Sequence, residues 1–168
     1  MQPTFLKSLD KVALAGRDEP PLAGDKTMDR LTLAQAQRII AAALEHSAKS
    51  GYKPMAIVVL DESGCLKAAC REDGATMFRV DIASAKAWAA VSMGASSRAL
   101  MLRAKENPTF LTSLAAIAQG KFVAQTGAVL IKNAAGEILG AAGASGGTGD
   151  EDEAICIAGI AAAGLAHG

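Results

Sequence analysis

At 168 residues and 51% hydrophobic content, the chain is long and apolar enough for one packed domain and too apolar for a disordered segment. Lys and Arg number 17 and Asp and Glu number 17, so there is no overall field to draw in nucleic acid or an anionic membrane. Aromatic residues make up 4% against 37 alanines, so the core has to gain stability from close approach of small side chains rather than from bulky anchors.

Residues 1–30 carry Pro3, Pro20, Pro21, Gly16 and Gly24 among five basic and five acidic residues, the texture of an extended arm. Such an arm is expected to pack on a neighbouring subunit, and Met28 could serve as a second start. From residue 31 to residue 168 the pattern is that of a folded domain. Thr32 and Gln35 form a capping box, and Leu33, Ala36, Gln37, Ile40, Leu44 and Ser47 follow at helical spacing until Gly51 ends the helix. Residues 55–60 and 65–71 then predict a hairpin around Asp61 to Gly64, its first strand buried on both faces. Helices are predicted over 80–93, 97–105 and 108–118, the last begun by Pro108. Strands follow over 121–124, 127–132 and 137–144. A second capping box, Thr148 with Glu151, opens a helix predicted over 150–166. Hairpins need no crossover connections, so the expected fold is α+β, a central antiparallel sheet of about five strands with helices packed on it.

No apolar run reaches the roughly 18 residues that a membrane span needs, and residues 1–30 hold no continuous apolar signal core, so a cytoplasmic protein is expected. Cys65, Cys70 and Cys156 are an odd set without CxxC spacing and read as reduced thiols, with no zinc site to be built from them.

Lys86 is the most informative residue. It sits between Ile82 and Ala89 on the apolar stripe of its helix, where an ammonium has to snorkel, find a carboxylate or lower its pKa. Asp73, Asp81, Asp152 and Glu153 are its candidate partners. Lys86 could pair structurally, bind an anion or act in catalysis beside those carboxylates. The Gly140 to Gly149 run leads into a helix N-terminus, the usual setting for a phosphate. Here Asp150, Glu151, Asp152 and Glu153 already complement the dipole and repel an anion. The run matches neither GxGxxG nor a P-loop, so it reads as a close-packed backbone wall against an apolar ligand or a second subunit. Of the two histidines, His167 reads as a frayed terminal residue. His46, on the flank of the first helix with Ile39 and Ala43, is a solvated or interface histidine or an axial ligand to haem iron. Arg98, Arg103 and Lys105 read as a solvated basic face.

Five stretches in order resemble the GlcG/HbpS-like haem-binding family, which also supplies the C-terminal domain of PduO-type corrinoid adenosyltransferases. They are Leu31, Thr32, Leu33 and Ala36; Val58 to Asp61 with Gly64; Arg71 to Ala75; Asp81, Ile82, Ala83, Lys86 and Ala87; and Gly140, Gly143, Ser145 to Thr148 and Asp152 to Ala154. The resemblance runs from about residue 31 to 165, and it departs from the common pattern where Thr126 to Val129 lack a proline and where Gly149 stands for one. It implies a helix-flanked antiparallel sheet, a homo-oligomer and, for some members, haem or iron. By position it marks Asp73, Gly74, Asp81, Lys86, Ser145, Gly146, Gly147, Thr148, Asp152 and Glu153. The leading expectation is a small-molecule-binding homo-oligomer whose cofactor is haem or a related tetrapyrrole. His46 would be the axial ligand, and Lys86 with the Ser145 to Thr148 loop would line the site. The alternative is an enzyme or accessory protein of organic-acid or aromatic catabolism, with Lys86 working beside Asp73, Asp81 or Glu153.

Overall fold

A computed structural model describes residues 30–168; the expected arm lies outside the described residues except for Arg30. The chain runs α1 (Leu33–Ser50), β1 (Ala56–Asp61), β2 (Leu66–Arg71), α2 (Phe78–Met93), α3 (Ser97–Glu106), α4 (Pro108–Ile117), β3 (Ala128–Lys132), β4 (Ile138–Ser145), α5 (Gly149–Ala162) and β5 (Ala166–His167). The five strands form one antiparallel sheet in the order β2-β1-β4-β3-β5. Both capping boxes form, Thr32 with Gln35 on α1 and Thr148 with Glu151 on α5.

Period-two alternation divides the strands between two cores. Ile57, Val59, Val129, Ile131, Ala142 and Ala144 face α1 and α5. Val58, Leu60, Ala128, Leu130 and Ala141 face Ala83, Ala87 and Ala90 of α2. A third cluster lies outside α2, where Ala89 meets Leu100 of α3, Leu111 of α4 and Phe122. The layers are therefore α1 with α5, the sheet, α2, and α3 with α4.

Four expectations change. Residues 121–124 form no strand: Phe122 is buried in the outer cluster and Val123 N–H donates to Ala85 O, so this apolar run follows α2 instead of entering the sheet. The fifth strand is β5 at the chain end, where Ile131 pairs with His167 and Gly168 exchanges backbone hydrogen bonds with Leu130. His167 is thus held in the sheet edge and is not frayed, and α5 stops at Ala162 because Gly164 turns left-handed (φ 74°). On α1 the buried residues are Ala36, Ile39, Ile40, Ala43 and Ser47, while Leu33 is 53% exposed. The buried face is rotated towards α5 because Gly159 brings the two helices close: a Cβ there would lie 2.4 Å from Ile39 O.

The same economy holds α2 on the sheet. A Cβ at Gly143 of β4 would lie 2.3 Å from Ala83 O and 3.0 Å from Ala87 Cβ. Gly143→Ala is expected to push α2 off the sheet and lower stability by about 1–3 kcal/mol, read as a lower urea midpoint. An unchanged midpoint would mean that the helix backs away freely.

Candidate functional site

Lys86 and Asp152 meet at the end of the sheet where α2, β4 and α5 converge. Lys86 is 5% and Asp152 2% exposed. Lys86 Nζ donates to Asp152 Oδ2 at 2.8 Å and to Ala144 O at 3.1 Å, and Gly147 N–H donates to Asp152 Oδ1 at 3.0 Å. Taking two charges out of water is costly unless they are paired and their remaining valences are met. Both conditions hold here, and no buried side-chain nitrogen or oxygen among the described residues lacks a partner. Space for the pair comes from Gly127 (φ 124°), where a Cβ would lie 2.6 Å from Lys86 Nζ and 2.7 Å from Asp152 Cβ.

Of the four carboxylates named as partners, the fold brings Asp152 to Lys86. Asp73 is exposed in the turn before α2, and Asp81 is exposed in the first turn of α2. Glu153 is taken by Arg98, whose Nε and Nη2 donate to its Oε2 at 2.8 and 2.6 Å. Arg98 Nη2 also reaches Asp150, and both carboxylates hold its guanidinium pKa above the ordinary value. Arg98 is therefore a tie between α3 and α5 rather than part of a solvated face. Lys86, almost fully buried, is held by two acceptors, Asp152 and Ala144 O.

The Ser145 to Thr148 loop spends its own polar groups. Arg79 Nη1 lies 3.4 Å from Ser145 Oγ, and Gly147 N–H is on Asp152. Thr148 N–H donates to Glu151 Oε2 at 2.7 Å. A Cβ at Gly146 would lie 2.5 Å from Pro54 O, so the backbone wall read from the glycines packs against this chain's own segment before β1. The helix N-terminus is thus filled by the chain's own carboxylates, which leaves no anion cradle.

His46 occupies a different layer. It is half-buried on α1, across the sheet from α2, and its ring tilts at 56° to Tyr52 with centroids 6.4 Å apart. The fold brings Lys86 and the Ser145 to Thr148 loop together, while His46 stands on α1, on the opposite face of the sheet from the α2 that carries Lys86. Beside α1, Leu33, Ile40 and Leu44 with Ala68 of β2 line a shallow groove of about 460 Å³. A further cavity, which sequence spacing alone had not singled out, opens beside Trp88 on the α2 side. Among the described residues no group of three or more His, Cys, Asp or Glu is placed to hold a metal ion. No described helix is long and apolar enough to cross a membrane.

The cysteines are free and differ in setting. Cys156 is buried, its thiol pKa pushed far up by burial and by the negative charge of Asp152. Burial also raises Cys70, while Cys65 is exposed. Because the thiolate is the reactive form, iodoacetamide near pH 8 should label Cys65 first, Cys70 slowly, and Cys156 only after unfolding. Peptide mass mapping over time checks the order, and early labelling of Cys156 would contradict it. For the buried pair, Asp152→Ala is expected to cost about 3–5 kcal/mol in urea unfolding because it strands the Lys86 charge. The double variant Lys86→Met with Asp152→Leu should recover part of that loss, although Gly147 N–H still lacks its acceptor. A double variant no more stable than Asp152→Ala would show that the stranded charge is not the main cost.

The family described as haem degrading protein HbpS-like matches residues 31–161. No curated protein matches the chain. Among solved structures, a PduOC–haem complex is 25% identical, covering 82% of this chain and 98% of that one with a TM-score of 0.74. The crystal structure of HbpS is 29% identical, covering 88% and 97% with a TM-score of 0.71. A Klebsiella pneumoniae protein, ORFY, is 23% identical over 86% and 98% with a TM-score of 0.74, a likeness of fold alone. The helix-flanked antiparallel sheet and the profile match over residues 31–161 agree, and the chain belongs to the HbpS-like family.

Proposed function

We propose that this chain is a haem-binding protein that works as a homo-oligomer, with His46 as the axial ligand. The observation that carries the reading is the likeness, over nearly the whole of the other chain, to a structure solved as a haem complex. The donor chemistry fits: an imidazole is a standard axial ligand to haem iron. His46 holds such a group half-exposed on α1, backed by Tyr52. Haem bound there would supply an iron centre for ligand or redox chemistry.

The protein's own part is to orient and shield. Tyr52 stands beside the imidazole, the two ring centroids 6.4 Å apart. A face this open needs a second surface to exclude water, and this supports the homo-oligomeric reading. Exposed apolar side chains are available for such contacts, Leu33 of α1 among them. In this reading Lys86 does not touch the ligand; with Asp152 it holds the layers in register.

Titration of the protein with haemin is expected to give a saturable Soret band with a defined stoichiometry. His46→Ala should weaken binding by at least tenfold and shift the band, and native mass spectrometry should find the haem on an oligomer. Absence of a saturable band would overturn the haem reading, and a band unchanged in His46→Ala would remove the ligand assignment alone.

A further inference from the structure

A cavity of about 280 Å³ lies on the α2 side of the sheet, in a different layer from His46. Asp81, Ser84 and Trp88 recur at i, i+3 and i+7 along one stripe of α2 and form one wall. Leu60 at the end of β1 and Leu66 at the start of β2 supply an apolar floor, and Lys121 closes the side formed by the segment after α4. The hairpin turn seals the indole side. Asp61 Oδ1 accepts from Ser63 N–H and Cys65 N–H, and a Cβ at Gly64 (φ 74°) would lie 3.2 Å from the Trp88 ring, so only glycine lets the turn close this far.

The charges are what make this more than a crevice. Asp81 and Lys121 both line the cavity, both are exposed at its mouth, and among the described residues neither is joined to an opposite charge. An anion on α2 and a cation on the segment after α4 therefore line one small space with an apolar floor, and Ser84 adds a hydroxyl to its lining. We propose that this cavity binds a small zwitterion with an apolar side group, the chemical class of the free aliphatic and aromatic amino acids. The ligand ammonium meets Asp81, its carboxylate meets Lys121, and its side group lies on Leu60, Leu66 and Trp88. A plain carboxylate of the same shape would satisfy Lys121 but face Asp81 with like charge, and a plain amine would do the reverse. The volume lies at the small end of ligand cavities, which suits a molecule of this size and excludes a macrocycle.

Trp88 is the chain's single tryptophan and lines this cavity, so its fluorescence is the reporter, and the Asp81 and Lys121 variants separate binding here from binding in the smaller crevice that Trp88 shares with Val91 and Ser92. The probes are leucine and phenylalanine, with 4-methylpentanoate and isopentylamine as the leucine skeleton lacking its amine or its carboxylate. Leucine and phenylalanine are expected to change Trp88 emission saturably, and each single-charge analogue should bind at least tenfold more weakly. Asp81→Asn and Lys121→Gln should each weaken leucine binding about tenfold, the size of one charge-assisted contact. Both side chains are exposed, so these variants should keep the wild-type circular dichroism spectrum, while Lys105→Gln on α3 should bind leucine as the wild type does. The proposal is overturned if neither amino acid gives a saturable change, if an analogue binds as tightly as leucine, or if both folded variants bind like the wild type. Haemin binding is read separately at the Soret band, so neither result decides the other.

Discussion

The Lys86 ammonium is enclosed by Asp152 Oδ2 and Ala144 O, and through them α2, β4 and the start of α5 meet at one end of the sheet. Two elements on opposite faces of a sheet have no direct contact unless something passes the edge strands or the strand ends, and here it is the ends of β3 and β4. The long lysine stem supplies that reach, and Gly127 leaves the gap through which the pair closes. Once Asp152 is committed, its second oxygen fixes the Gly147 N–H and with it the turn into α5. Arg98 extends the tie outward to α3 through Glu153 and Asp150. A buried ion pair adds little net stability over an apolar substitute, but it tolerates few geometries, so its effect here is to set the relative position of the layers.

The rest of the packing follows from how little bulk the chain has. Gly143 against α2 and Gly159 against α1 allow backbone approach that any side chain would block. Alanine-rich helix faces then fill what remains, and contacts of this kind give dispersion energy only when the fit is close. The arrangement keeps the interior dense and leaves the open spaces at the margins: the groove beside α1 and β2, and the cavity beside Trp88. Both margins lie where larger side chains such as Leu33, Leu66 and Trp88 project from the small-residue scaffold.

Much of the architecture was legible from local signals. Both capping boxes, the Pro108 helix start and the hairpin around Asp61 to Gly64 are short-range features whose chemistry is complete within a few residues. The errors have one cause. Residues 121–124 have the apolar texture of a strand, yet Phe122 is buried by α3 and α4, which a local pattern cannot show. His167 looked terminal and free, yet β3 offers it an edge to pair with. In the site, a lysine on an apolar stripe left snorkelling, pairing and loss of charge all open, and its pairing with Asp152 rather than Asp73, Asp81 or Glu153 depended on which carboxylate the fold carries to the ends of β3 and β4.

By itself the sequence determined most of the element types, the antiparallel α+β class, the need for close small-residue packing and the family to which the chain belongs, because each of these is written in neighbouring residues or in an ordered set of short motifs. The tertiary structure alone decided that Lys86 is a paired cation, that the glycine loop is a turn filled by its own carboxylates, that His46 stands in a separate layer, and that Asp81 and Lys121 face one cavity. Those outcomes depend on distances between residues far apart in the chain, and such distances are set by how the layers pack rather than by any local pattern.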